Sequence, residues 1–216
     1  MNTRLTRTRT TRSTALATVA LAGLLGLTAC GDGGSTVASD NGGSSSEQIA
    51  ADAAYNAQDL TFVKDMKPHH EQAVAMADLV LAKDPSPRVA ALATKIRAAQ
   101  QPEIAELDSM IATFAADAGG AHGGEHGGGE HDGHDMSDDM GMMSEGDMAA
   151  LEQAGGAEAE RLFLEGMVAH HRGAVQMADA EIRDGRWDRA IALATSIKAD
   201  QQAEIAEMTQ LLAARS

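Results

Sequence analysis

Histidine and methionine recur together at helical spacing in two parts of this chain of 216 residues. Each set reads Met-x-x-His-His and is followed by a further methionine about two turns after its first histidine. The two sets are Met66, His69, His70 and Met76, and Met167, His170, His171 and Met177. Residues three and four positions apart are neighbours on a helix, so each set shares one face. Imidazole with thioether suits copper, because thioether selects Cu(I) and imidazole accepts either oxidation state.

The same helix face also carries Phe62, Ala73 and Ala77, which identifies it as the face toward the core. Methionine on such a face is more often a packing residue than a ligand, and a core histidine is more often a hydrogen-bonded polar group. The second occurrence of the set favours metal binding. Copper is the predicted metal, since zinc or nickel would use the imidazoles but gain little from methionine.

Two further pairs of polar residues interrupt apolar stripes later in each half of the chain. They are Gln100 and Glu103, and Gln201 and Glu204. A carboxylate that faces a core is costly unless it is paired. Facing a histidine pair, it would orient an imidazole or bind the metal itself. The alternative is that it lies at the rim of the bundle or pairs with an arginine.

A third group of candidate ligands lies between the halves, in a segment over 117–147 that is rich in Gly, His, Asp and Met. These candidates are His122, His126, His131, His134, Met136, Met140, Met142 and Met143. The segment cannot build a core, so we expect it to be disordered when metal-free. Such a tract is usually only a solvated linker, but its histidines and methionines favour metal binding.

The elements that must position these residues repeat with an offset of 101 positions. The segment 62–78 matches 163–179 without a gap, and the same offset aligns 91–106 with 192–207. Repetition this dense indicates two copies of one supersecondary unit. Each copy is predicted to be a helical hairpin, with Pro68 and Pro102 kinking the helices of the first copy.

The predicted fold is all-α: a four-helix bundle made of two hairpins, 47–116 and 148–216, which form one domain over 47–216. The predicted helices and the breaks between them are as follows: 47–83 and 88–116 with a break at 84–87, and 148–184 and 186–214 with a break at 184–185. The low aromatic content, 2%, argues against a β-sandwich or barrel.

Composition excludes several classes of function. The formal net charge of −15 argues against nucleic-acid binding, which needs a basic surface. The single cysteine excludes an internal disulfide, a zinc finger and an iron–sulfur site. The chain shows no nucleophile–base set and no phosphate-binding loop, so we expect a protein that is not an enzyme.

The N-terminus is predicted to be a targeting segment. Four arginines precede an apolar stretch over 15–27 that has the length of a signal h-region. It ends in Leu27-Thr28-Ala29-Cys30, which resembles a bacterial lipobox. The resemblance implies a lipoprotein signal peptide over 1–29 and lipidation of Cys30, followed by a flexible tether over 30–46. An ordinary signal peptide is the alternative.

The two motif segments, 66–77 and 167–178, resemble the signature of the bacterial "domain of unknown function 305" family. The resemblance covers roughly residues 47–214. It implies a ferritin-like bundle and copper binding through Met and His, as in CopM-type periplasmic proteins. It also implies a role in metal tolerance or handling outside the cytoplasm.

We therefore expect a lipid-anchored protein on the extracytoplasmic face of the bacterial membrane that binds, buffers or delivers copper. Its expected partners are metal ions, the membrane and a copper-handling protein. A ferritin-like di-metal redox enzyme is one alternative, although methionine three residues before histidine is a poor ligand for oxygen-activating iron. A zinc- or nickel-binding bundle and a pure interaction module are the others. The metal's oxidation state, stoichiometry and the oligomeric state stay open.

Overall fold

The computed structural model describes residues 54–121 and 140–215, and within them it contains five helices and no strand. The helices are α1 (Ala57–Leu81), α2 (Pro87–Ala121), α3 (Glu145–Gln153), α4 (Gly156–Asp184) and α5 (Asp188–Ala213). The all-α class is confirmed. The predicted signal peptide, Cys30, the tether, His122, His126, His131, His134 and Met136 lie outside the described residues.

Helix α1 begins at Ala57, and residues 54–56 before it are not helical, so the predicted helix from residue 47 is wrong in this part. The reason is a capping box at Asn56. Its side chain accepts hydrogen bonds from the backbone N–H groups of Gln58 and Asp59, while the Asp59 carboxylate accepts from the Asn56 N–H. This reciprocal pair satisfies N–H groups that the first turn of a helix leaves without partners.

The predicted single helix over 148–184 is wrong, because the structure divides it into α3 and α4. Ser144 caps α3 by accepting from the Asp147 N–H. The break falls at Ala154 and Gly155, which have extended backbones, and Gly156 follows with a φ of 55° in the left-handed region that glycine tolerates. Helix α2 also runs five residues further than predicted, to Ala121.

Helix α1 packs along α2, α4 packs along α5, and α1 also packs against α4. The short helix α3 contacts α1 and α4. Pro68 and Pro102 lie inside α1 and α2, as predicted. No helix among the described residues is long and apolar enough to cross a membrane.

Two buried carboxylates join the first helix of each half to the inter-helix turn of the other half. Asp59 on α1 accepts hydrogen bonds from the backbone N–H groups of Arg186 and Trp187, between α4 and α5. Glu160 on α4 accepts from the N–H and hydroxyl groups of Ser86, between α1 and α2. The two acids are 101 positions apart, at the offset of the sequence repeat.

Candidate metal centre

A layer of buried polar side chains crosses the helices between two apolar clusters. One cluster takes 73–80 of α1, 89–96 of α2, 163–168 of α4 and 208–211 of α5, and the other takes 62–66, 107–114, 174–178 and 190–197. The residues that fall between these stretches are His69, His70, Gln100, Glu103, His170, His171, Gln201 and Glu204. We call this set the polar layer. All its members are buried except Glu103, whose side chain is 16% exposed.

Each half contributes one histidine–glutamate hydrogen bond to the polar layer. The Nε2 of His70 lies 3.0 Å from a Glu103 oxygen, and the Nε2 of His171 lies 2.9 Å from a Glu204 oxygen. A carboxylate accepts hydrogen bonds, so in both pairs Nε2 carries the proton and Nδ1 keeps its lone pair. Both glutamates are therefore placed to orient an imidazole, which is the role that the sequence suggested. The alternative of a rim position is wrong for Glu204, because this residue is buried.

His69 and His170 lie against each other where α1 meets α4, with ring centroids 3.7 Å apart. Burial lowers the pKa of His69 to about 4 and lowers the pKa of His170 well below its ordinary value. Burial also lowers the pKa of His171, against the opposing effect of the hydrogen bond that His171 donates to Glu204. These rings are neutral at pH 7, which is the form that binds metal.

Many polar atoms of the layer have no hydrogen-bond partner among residues 54–121 and 140–215. They are the Nδ1 atoms of all four histidines, the Nε2 of His170, and the amide nitrogen and oxygen of both Gln100 and Gln201. Buried polar groups are nearly always paired, so such a concentration marks the layer as a candidate binding site. These donors fit a metal ion that takes nitrogen and oxygen ligands.

The histidines and carboxylates of the described ranges do not form a closed site by themselves. No three His, Cys, Asp or Glu side chains within 54–121 and 140–215 are grouped as they would be around a metal ion. A metal held at the polar layer would therefore need an amide, a thioether, or a movement of the rings.

The four helical methionines of the predicted sets lie on both sides of the polar layer. Met66 and Met177 belong to one apolar cluster, and Met76 and Met167 belong to the other. Met66, Met76 and Met167 are fully buried, whereas Met177 lines an open cavity of about 270 Å³. The cavity is lined by Gln58, Thr61, Phe62, Asp65, Met140, Gln176, Met177 and Ala180. Ligation by these methionines stays a prediction.

The last part of the predicted linker lies directly beside the polar layer. We call residues 140–144 the strap. The Met140 carbonyl accepts a hydrogen bond from the Nε2 of His69 at 3.0 Å. The side-chain amide of Gln72 pairs with the backbone of Met143, accepting from its N–H at 2.8 Å and donating to its carbonyl at 2.9 Å. Met140, Met142 and Met143 thus lie in the described structure, and the prediction of disorder is wrong for them.

Two glycines of α4 make room for the strap. A Cβ atom on Gly173 would lie 1.6 Å from the Met140 carbonyl oxygen, and one on Gly166 would lie 2.8 Å from the Met143 sulfur. Gly141 itself has a φ of 71° and approaches the Ala169 carbonyl closely. At the repeat-related positions of α1 stand Asp65 and Gln72, so only the second half has this groove.

The two halves also differ in charge around their glutamates. Lys95 on α2 lies 3.6 Å from Glu204 and forms an ion pair with it. The repeat-related position on α5 is Ser196, which carries no charge. Glu103 is also more exposed than Glu204. The His171–Glu204 pair therefore has a lysine beside it, and the glutamate of the His70–Glu103 pair is the more accessible of the two.

Sequence reasoning missed Asp59, Gln72, Glu160, Gly166 and Gly173. The glycines carried a signal: they lie seven residues apart on one face of a helix, where glycine costs stability. Asp59 and Glu160 carried a weaker signal, since they are acidic residues at repeat-related positions. No local sequence pattern predicted that Gln72 would pair with the backbone of the linker.

The family model described as "Domain of unknown function (DUF305)" matches residues 59–212. No curated protein matches the chain.

Solved structures of similar proteins cover most of the chain. A DUF305 fragment from Deinococcus radiodurans is 28% identical over 73% of this chain and 97% of its own, with a TM-score of 0.63. A putative secreted DUF305 protein from Streptomyces coelicolor is 28% identical over 77% and 94%, with a TM-score of 0.60.

CopM in its Cu(II)-bound form is 28% identical over 73% of this chain and 97% of its own, with a TM-score of 0.58. Further similar structures are of CopM in Cu(I)-bound, silver-bound and apo forms. The similarity to these structures points to metal binding and to a location outside the cytoplasm.

Proposed function

The chain belongs to the DUF305 family, and we propose that it is an extracytoplasmic, lipid-anchored protein that binds copper to buffer or deliver it. The observation that carries the proposal is the polar layer, where imidazole nitrogens and carboxamide groups are buried without a hydrogen-bond partner in the part of the chain that the structure describes. Similarity to CopM, which was crystallised with copper in both oxidation states, supports the choice of metal.

The orientation of the histidines supports a metal-binding role. His69, His70 and His171 each donate from Nε2 to an oxygen, so each presents the Nδ1 lone pair. An imidazole whose other nitrogen is hydrogen-bonded to a carboxylate or carbonyl is the usual arrangement of a metal ligand. We propose that these nitrogens bind the ion after a ring movement, with Gln100 or Gln201 as a further donor.

The methionines next to the layer bias the site toward Cu(I). Each apolar cluster that borders the layer contains two methionines of the predicted sets. Thioether sulfur is a soft, uncharged ligand that favours Cu(I) over zinc or nickel. We propose that Met66 and Met167, one turn before the histidines, complete the Cu(I) coordination.

We further propose that the helices form a ferritin-like bundle of two hairpins, anchored to the membrane through Cys30 after removal of residues 1–29. The tether would place the bundle within reach of the membrane surface. Expression of the full chain and of Cys30→Ser tests the anchor. We expect the full chain in the membrane fraction and Cys30→Ser in the soluble fraction. The same distribution for both proteins would contradict the anchor.

A metal-by-metal affinity series tests the function. Equilibrium dialysis of the full chain against Cu(I), Cu(II), Zn²⁺ and Ni²⁺ should give the highest affinity for copper. Equal or tighter binding of zinc or nickel contradicts the choice of metal. Because we propose binding without catalysis, Fe(II) and dioxygen should give no turnover, and sustained turnover would support a di-metal oxidase instead.

A further inference from the structure

Side-chain contacts with α1 and α4 hold the strap over 140–144 in place. The Gln72 amide pairs with both backbone groups of Met143, and the Met143 side chain is buried against Gly166. A glycine inside a helix is destabilising relative to alanine. Gly166 and Gly173 therefore lower the stability of α4, but they leave the space that the strap occupies.

The strap also contacts a histidine of the polar layer. The Met140 carbonyl can only accept a hydrogen bond, so the Nε2 of His69 carries the proton and its Nδ1 is the free nitrogen. His70 and His171 get the same tautomer from Glu103 and Glu204. The strap backbone thus accepts the Nε2 hydrogen bond of His69, as a glutamate does for His70 and for His171.

We propose that the strap is a positioning element for the metal centre, which fixes the Nε2-protonated tautomer of His69 and covers the His69–His170 pair on one side. Gln72 and Gly173 are its positioning residues. The tautomer part rests on the geometry alone, whereas the effect on metal release rests on the proposed function.

The tautomer is measured on the metal-free full chain by ¹⁵N NMR of the histidine rings at pH 7, with His69 assigned through His69→Gln. Wild type should carry the proton on Nε2 of His69. Gly173→Ala, which places a methyl group where the Met140 carbonyl lies, and Gln72→Leu should each give a mixture of tautomers. The matched control is Gly146→Ala, a glycine of α3 whose added Cβ meets only the Ser144 hydroxyl at 3.7 Å.

The tautomer of His70 in the same spectra separates positioning from general damage. His70 is bonded to Glu103 rather than to the strap, so its tautomer should not change in either variant. Two variants are used so that misfolding of one, seen as lost helix content, leaves the other informative. An unchanged His69 tautomer in a folded variant overturns the proposal.

The covering role is measured as the rate at which bound Ag(I), a redox-inert analogue of Cu(I), passes to a competing chelator. Release should be at least threefold faster from Gly173→Ala than from wild type and Gly146→Ala. Equal rates for all three overturn the covering role. If wild type binds no Ag(I) or copper, the proposed function fails, and the NMR result still decides whether the strap positions His69.

Discussion

Burial controls the chemistry of the individual histidines. It lowers the pKa of His69 to about 4, more than two units below the ordinary value for histidine. A ligand imidazole must be neutral, so proton competition at this ring begins at a lower pH than at an exposed histidine. Metal binding by His69, His170 or His171 would therefore require no loss of protons from these rings at neutral pH.

Replacing Met66 and Met167 by leucine tests whether these side chains are ligands or packing residues. Met→Leu keeps the apolar volume and usually costs below about 1.5 kcal/mol of stability. If the sulfurs bind Cu(I), its affinity should fall at least tenfold, or about 1.4 kcal/mol, while Cu(II) affinity changes less. Competition with a Cu(I) chelator measures this, in a chain whose residues 122–139 are replaced by Gly and Ser.

The matched control replaces Met110 and Met208, which are buried in the same two clusters but lie outside the motif sets. That variant should keep the Cu(I) affinity of the parent. An equal loss in both variants, or no loss in either, would identify Met66 and Met167 as core residues.

Glu181 predicts a pH dependence of stability. It is fully buried, and burial, with the nearby Asp59 carboxylate as a smaller cause, raises its pKa to about 8 from 4.5. Between these values the folded state keeps a proton that the unfolded state has released. Its contribution to the free energy of unfolding therefore falls as pH rises from about 4.5 to about 8.

Glu181→Gln should remove this dependence, so the variant gains stability over wild type as pH rises. Urea unfolding at pH 5 and pH 9 should show a gain at pH 9 of about 1 kcal/mol or more, since one pKa unit corresponds to about 1.4 kcal/mol. The control is Glu165→Gln on the exposed face of α4. A constant difference between Glu181→Gln and wild type at both pH values contradicts the assignment.

At the scale of helices, periodicity predicted the face that is buried but not where each helix begins and ends. The faces of His69 and His170 are buried because the apolar positions on either side of them recur every three or four residues. The start of α1 depends on the capping box at Asn56, and the break before α4 depends on the left-handed backbone of Gly156. These features depend on single side chains, which average patterns do not resolve.

Contacts between distant segments were less predictable still. The approach of Glu103 to His70 was one of the alternatives that the sequence offered, because both residues interrupt apolar faces of neighbouring helices. The docking of the strap was not, because Gln72 and Met143 meet only in the folded chain. The Met143 side of this contact is made by backbone groups, which every residue type except proline provides, so the sequence cannot indicate it.

Glu160 should stabilise the packing of the two halves. Glu160→Gln leaves one acceptor for the N–H and hydroxyl of Ser86 and removes the ion pair with Arg215. Ser86 is half-buried, so leaving one of its donors without a partner should cost about 1 kcal/mol, the lower end of the range for buried donors. Urea unfolding of metal-free protein should show a loss of about this size. The control Asp78→Asn, at an exposed ion pair with Arg97, should lose less than about 0.5 kcal/mol.

At the scale of the molecule, the proposed metal binding would depend on both the net charge and the burial of the donors. The net charge of −15 attracts cations to the surface, as far as the salt concentration allows. The polar layer then offers neutral nitrogen donors between two apolar clusters that exclude water. An acidic surface alone would collect hard divalent ions, whereas in the proposed function the buried histidines and methionines would select a softer one.

The most direct measurement of the central claim is copper binding by a chain whose residues 122–139 are replaced by an equal length of Gly and Ser. This replacement keeps α2, the strap and the polar layer and removes His122, His126, His131 and His134. Equilibrium dialysis should show that Cu(I) and Cu(II) still bind. A second variant, with His69, His70, His170 and His171 also changed to Gln and its helix content checked, should lose Cu(II) binding. Loss of copper with the linker alone, or unchanged binding after loss of the four histidines, would contradict a metal centre in the polar layer.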